Sequence, residues 1–234
     1  LKVRVKFRKN GAMRYIGHLD VMRYFQKAMR RADIPAAFSK GFSPHMIMSF
    51  ANPLGVGLTS DGEYFDMELT EPIPSKQAIV QINKAMVEGM EVTEFVQIAE
   101  EKKATGMAIV AGADYLSSLK KGALPADWKD QVDPFLAQEQ ILIVKKTKRS
   151  EKEVDIRPMI YRMEVRGDAV FMQVATGSVE NLKPGLVVEA FCSYLGIEKE
   201  SVSFAHHRLE LYADGGGDGK RKLVPLAALG NEIL

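Results

Sequence analysis

The first hundred residues alternate between two hydrophobic periods, and the order of that alternation restricts the fold more than any other feature of the chain. Residues 2–9, Lys-Val-Arg-Val-Lys-Phe-Arg-Lys, put Val3, Val5 and Phe7 on one side and basic residues on the other. That is the pattern of a half-buried strand with an exposed basic face. Over 18–32, Leu19, Met22, Phe25, Met29 and Ala32 recur at spacings of three and four, which predicts a helix whose other face carries Arg23, Lys27, Arg30 and Arg31. Gly17 precedes it, Asp20 lies in its first turn and Pro35 follows its end. Strand signals return at 46–51 and 63–70, where Phe65, Met67 and Leu69 alternate with Tyr64, Asp66 and Glu68. After Glu71-Pro-Ile-Pro74, a helix over 75–87 turns Ala78, Ile79, Ile82 and Met86 inward, Gly89 supplies a stop, and a strand over 91–100 follows. Strand, helix, strand, strand, helix, strand is the split βαβ, ferredoxin-like order, with two helices on one face of an antiparallel sheet.

The second half repeats the order loosely. Strands at 106–117 and 140–146 flank a helix at 126–138 holding Trp128, Val132, Phe135 and Leu136. Two strands at 159–166 and 169–176, a helix at 184–195 and a strand at 202–212 complete it. The expectation is an α+β protein of two tandem ferredoxin-like (βαββαβ) modules with antiparallel sheets, 1–103 and 104–234. Lys145–Lys152 and the glycine-rich Asp214–Lys222 read as mobile segments; the latter lacks the spacing of a phosphate-binding Walker loop.

No stretch approaches the ~18 consecutive apolar residues that span a bilayer, so no membrane association is expected. The chain opens on alternating basic and apolar residues, unlike a secretory leader. Its one cysteine, Cys192, on an apolar stretch with Phe191 and Leu195, excludes an intrachain disulfide and any multi-cysteine metal site. A lone thiol fits a reducing, cytoplasmic setting. The formal net charge of +2 conceals a division: residues 1–46 carry eleven Lys/Arg against two acids, a net of +9, and residues 47–101 carry two Lys against ten acids, a net of −8. One reading is a face for phosphates or another polyanion. The other is that the two segments pair in adjacent strands and neutralise each other.

The densest run of polar and aromatic residues lies between Arg14 and Tyr64. In Ser39-Lys-Gly-Phe-Ser-Pro-His45, Gly41 permits a turn and Pro44 stiffens the exit. Lys40, Phe42, Ser43 and His45 there combine a cation, an aromatic face and hydrogen-bonding groups, as single-stranded RNA recognition requires. Phe42 is equally readable as a core plug. With Arg14, Arg23, Lys27, Arg30 and Arg31, this loop makes up the candidate RNA-binding set. His18 and His45, with Asp20 and Glu63, are candidates for acid–base catalysis. Their spacing matches no metal motif, so neither a metal site nor any cofactor is expected.

Tyr15-Ile-Gly-His-Leu-Asp20, Ala28-Met-Arg-Arg-Ala32, Phe38-Ser-Lys-Gly-Phe-Ser-Pro-His45 and Ser49-Phe-Ala-Asn-Pro-Leu-Gly-Val-Gly57, with Ser60 and Glu63-Tyr64, resemble the radical-SAM-linked protein family, a domain of unknown function. The match covers residues 2–100 with several motifs in order; Asp155-Ile-Arg-Pro158 extends it more weakly. The resemblance implies a radical-SAM enzyme as partner and, through bacterial gene surroundings, a link to RNA or ribosome-related processes. It supplies no activity. A radical-SAM cluster needs three thiolates, so with one cysteine this chain would leave that chemistry to its partner. The expected role is a non-catalytic accessory that binds structured RNA or presents a substrate. The alternatives are an RNA-cleaving or RNA-modifying enzyme using His18 or His45, and a protein-interaction adaptor with an acidic face at 47–101.

Overall fold

The computed structural model describes residues 1–146, 151–217 and 219–234. The chain divides into two compact units, Leu1–Ala111 with Arg208–Leu234, and Gly112–His207. The class is α+β, with mostly antiparallel sheets and short to medium helices. The break falls at 111/112 rather than at the expected 103/104. Residues 208–234, expected in the second module, return to the first unit.

The first unit runs β1 (Lys2–Lys9), α1 (His18–Arg31), β2 (Met48–Phe50), β3 (Thr59–Glu68), α2 (Ser75–Lys84), β4 (Met90–Ile98) and a short α3 (Gly106–Ile109). Its strands lie in the order β4-β1-β3-β2, each antiparallel to its neighbour. Val5 stands opposite Phe65 of β3 and Phe95 of β4. The alternating apolar residues of β1 therefore meet those of both neighbours on one face. α1 and α2 cover that face, and Phe7, Phe25, Phe50 and Phe65 pack there with ring centroids 4.5–6.2 Å apart. The inward stripe of α1 is Val21, Phe25, Ala28 and Met29. Leu19, expected inward, is 59% exposed, because at 100° per residue it sits about 120° around the helix from Phe25. α1 ends with Asp33 in the left-handed region (φ 51°). The Asp33 and Ile34 N–H groups donate to the carbonyls of Arg30 and Met29, the closure of a Schellman motif.

The second unit carries most of β5 (Val110–Lys121), then α4 (Val132–Leu136), β6 (Leu142–Lys146), β7 (Glu151–Asp155), β8 (Ile160–Arg166), β9 (Ala169–Ala175) and α5 (Pro184–Tyr194). β10 (Ser203–Asp214) starts in this unit, and its Arg208–Asp214 part, with β11 (Leu223–Pro225), belongs to the first. The order β10-β5-β9-β8 repeats the permutation of the first unit when each is counted by its own strands. β6, expected in the main sheet, instead pairs with β7 as a separate two-stranded ribbon. Alternation alone cannot choose a strand's partner. Asp155 and Arg157 fasten the ribbon's base: the Asp155 carboxylate accepts the N–H groups of Ile141 and Arg157, and the Arg157 side chain donates to the Leu136 and Ile160 carbonyls. Of the segments expected to be mobile, residues 147–150 and 218 lie outside the described residues. Asp214 accepts the N–H groups of Gly216 and Lys222, closing the β10–β11 loop.

Candidate nucleic-acid interface

Of the expected basic face of β1 only Arg8 is exposed; Arg4 and Lys9 are buried, and Lys2 and Lys6 are half-buried. Arg4 is 1% exposed and grips Asp66 with two hydrogen bonds, 2.8 and 3.0 Å long. It also donates to the carbonyls of Leu226 and Ala104, while the Gly106 N–H donates to Asp66. Lys6 bridges Glu94 at 3.0 Å and Glu210 at 2.7 Å, and the Tyr64 hydroxyl donates to the same Glu210. Arg8 pairs with Glu91 and Asp61, and Lys2 with Glu68. Lys9 is buried and donates to the Ile16 carbonyl; burial pulls its pKa down, with Glu63 acting in the opposite sense. β1 lies between β3 and β4, both drawn from the acidic 47–101 segment. Cations there must be matched, since an unpaired buried charge costs several kcal/mol. Adjacent-strand neutralisation therefore accounts for four of the five cations of β1, Lys9 being held by a backbone carbonyl instead.

Six cations of the first 46 residues lie outside β1: Arg14, Arg23, Lys27, Arg30, Arg31 and Lys40. Arg23, Lys27, Arg30 and Arg31 stand exposed on the face of α1 opposite its buried stripe. Arg23, Lys27 and Arg30 follow one line along the helix, about 6 Å and then about 4.5 Å apart in rise. Arg23 lies 3.5 Å from Asp20; among the described residues the other three form no ion pair. Arg31 donates to the Ala85 carbonyl at 3.0 Å. It borders a cleft of about 470 Å³ with Gln81 and Lys84 of α2. The Gln81 Oε1 is buried without a partner.

The 39–45 loop continues this surface. The Arg30 guanidinium lies 5.7 Å from the Phe38 ring centroid, and Phe38, absent from the sequence-derived candidates, is 42% exposed. Phe38 and Met46 form an isolated bridge at the loop's neck. Ser39 and His45 lock it, through Ser39 N–H to the His45 carbonyl, His45 N–H to the Ser39 hydroxyl, and a 2.8 Å contact between that hydroxyl and His45 Nδ1. Lys40, Ser43 and His45 are exposed on this closed loop. Gly41 at its turn has φ 114°, a conformation that glycine adopts without a steric cost. Phe42 is fully exposed, at 112%, which excludes the core-plug reading.

The other candidates fall elsewhere. Arg14 lies over the Tyr15 ring at 5.1 Å with its Nε buried and unpartnered, and its carbonyl accepts the Gly57 N–H. His18, in the first turn of α1, meets Phe50 edge-on at 5.1 Å, and burial lowers its pKa. The motifs around Arg14–His18 and Phe50–Gly57 thus meet at the start of α1. That is about 18 Å in helical rise from the end holding Arg30. Glu63 is buried, bonded to Arg208 at 2.8 Å; burial raises its pKa, and Arg208 and Ser60 pull it back. Arg208 comes from the distant β10, so no local signal could reveal it. The four catalytic candidates are thereby divided: Asp20 faces Arg23, His45 faces Ser39, Glu63 faces Arg208 and His18 faces Phe50. Among the described residues no group of three or more His, Cys, Asp or Glu is placed to hold a metal ion. No helix among them is long and apolar enough to cross a membrane.

A chain from the crystal structure of a Cbf5-Nop10-Gar1 complex superposes with a TM-score of 0.48 at 12% identity, over 89% of this chain and 48% of that one. The present chain thus spans about half the length of that neighbour. No curated protein matches the sequence. A family model described as an uncharacterized protein conserved in bacteria (DUF2344) matches residues 2–184, and the chain belongs to that family.

Proposed function

We propose that this protein binds RNA as a non-catalytic accessory, holding or presenting it to a radical-SAM enzyme in the cytoplasm. The observation that carries the reading is the row of cations on α1. Once the charges of β1 are matched to acids, Arg23, Lys27, Arg30, Arg31 and Lys40 remain exposed, and only Arg23 faces a carboxylate among the described residues. Like charges gathered on one helix face repel one another, and a phosphate backbone relieves that repulsion while releasing its own counterions. The radical-SAM partnership is supported by the motif resemblance in residues 2–100. Cys192, the single cysteine, is buried, so the cluster would be the partner's.

Titration of a labelled RNA hairpin tests the reading. Binding is expected at about 50 mM salt, falling steeply by about 200 mM. A variant with Arg23, Lys27 and Arg30 all changed to Ala is expected to lose it. Absence of binding at the lower salt, or full binding by the triple variant, contradicts the proposal.

A further inference from the structure

We infer that the 39–45 loop selects unpaired nucleic-acid strands over duplexes, with Phe42 as the platform for one unstacked base. The inference rests on the reading of α1 as a phosphate-binding face and specifies what that face receives. Three observations on the loop support it together.

First, Phe42 is exposed at the turn of a loop whose neck is fixed by the Phe38–Met46 bridge and the Ser39–His45 contacts. A large apolar ring held fully in water by a fastened loop offers both faces to a ligand without a large ordering cost on binding. Second, Lys40 is exposed two residues before it, and Arg30 is joined to the same loop through the Phe38 ring. A base on Phe42 would therefore have its phosphates beside Lys40 and the end of the α1 row. Third, Arg30, Lys27 and Arg23 continue away from the loop along one line of α1. Their steps in rise are about 4.5 and 6 Å, a row that one strand can follow phosphate by phosphate.

A duplex cannot use this arrangement. Its bases are already stacked on both faces, and sequence-tolerant aromatic stacking needs a base that is unpaired or splayed out. Against a duplex Phe42 stays in water and only the cations contribute. The chemistry recognised, a π-face followed by phosphates, is common to RNA and DNA single strands.

The test uses the full chain and three fluorescein-labelled probes of about equal length: a uridine oligonucleotide, the corresponding thymidine oligonucleotide and a blunt RNA duplex. Phe42 makes no core contact, so Phe42→Ala should fold, and its far-UV circular dichroism checks this. One stacked base contributes about 1–3 kcal/mol, so Phe42→Ala is expected to weaken binding of the single strands roughly tenfold and to leave the duplex unchanged. Tighter binding of the RNA or the DNA strand identifies the source, and either agrees with the inference. Phe42→Trp should keep the affinity, with indole emission falling on binding. The inference is overturned if Phe42→Ala binds single strands within twofold of the parent, as it would if Phe42 serves a protein partner, or if the duplex binds as well as the single strands. In those cases the salt-dependent binding by α1 still stands. Only failure of the unaltered protein to bind all three probes overturns both.

Discussion

At the scale of single residues, the most informative side chain is Arg4, because its burial reverses what its position in an alternating strand suggests. Two hydrogen bonds to Asp66 and two backbone carbonyls satisfy its guanidinium in a site with 1% exposure. Asp66→Ala leaves that charge without its counter-ion, and urea unfolding should show a loss of about 3–5 kcal/mol; a loss below 1 kcal/mol would mean that the pair is solvated. His206 offers a pH-dependent case. Its Nδ1 lies 2.8 Å from the Ser117 hydroxyl, and burial lowers its pKa, with Glu189 partly offsetting this. Unfolding restores the ordinary value of about 6.5, so below that pH the unfolded chain binds more protons. The ring's contribution to stability is complete above about 6.5 and is lost as the pH falls from there through its lower folded value. His206→Gln should therefore lose less stability than the parent between about pH 7.5 and about pH 5.5. Identical losses in the two proteins would assign the pH dependence to other groups.

At the scale of elements, the sequence reveals most where local periodicity and burial coincide. β1, α1, α2 and β4 lie within a few residues of their expected spans, because period two and period 3.6 are read against one apolar face. The phase of α1 was harder to read: Leu19 completes a stripe with Met22 and Phe25, yet Val21 and Ala28 are the residues that join Phe25 and Met29 in the core. Pairings between distant segments were not legible. Nothing near β3 announces that β10 will lie beside it with Arg208 and Glu210. Gly62 records that approach, since a Cβ there would stand 2.7 Å from the Glu210 Cα and the Leu209 carbonyl oxygen. Gly62→Ala must push two backbones apart, and a destabilisation of about 1–3 kcal/mol is expected in thermal or urea melts. An unchanged midpoint would show that β10 yields freely. The 39–45 loop was legible as a candidate but not as a geometry. Its residue types singled it out, while the Ser39–His45 lock and the contact of Phe38 with Arg30 depend on neighbours that spacing does not encode.

At the scale of the whole molecule, the division of charge along the sequence has two separate destinations. One part is structural: Lys2, Arg4, Lys6 and Arg8 of β1 pair with Glu68, Asp66, Glu94, Glu91 and Asp61, five of the ten acids in the −8 segment. The other part, on α1 and Lys40, is met by no comparable group of acids among the described residues. An alternating basic strand and a basic helix face look alike in a charge count, and only strand order separates them. Residues 208–234 return to the first unit to complete this partition, a closure over a sequence distance that a reading by consecutive modules assigns elsewhere.

The proposed binding to nucleic acid depends on where the cations of α1 lie and not on net charge. Two double variants with equal charge change decide it: Lys27→Ala with Arg30→Ala on α1, and Lys2→Ala with Arg8→Ala on β1. The measurement is the slope of log affinity for a labelled RNA strand against log salt concentration. The α1 pair is expected to reduce the slope by about 1.4, at roughly 0.7 per phosphate contact on a single strand, while the β1 pair leaves it unchanged. Equal reductions in the two variants, or none in either, would contradict it.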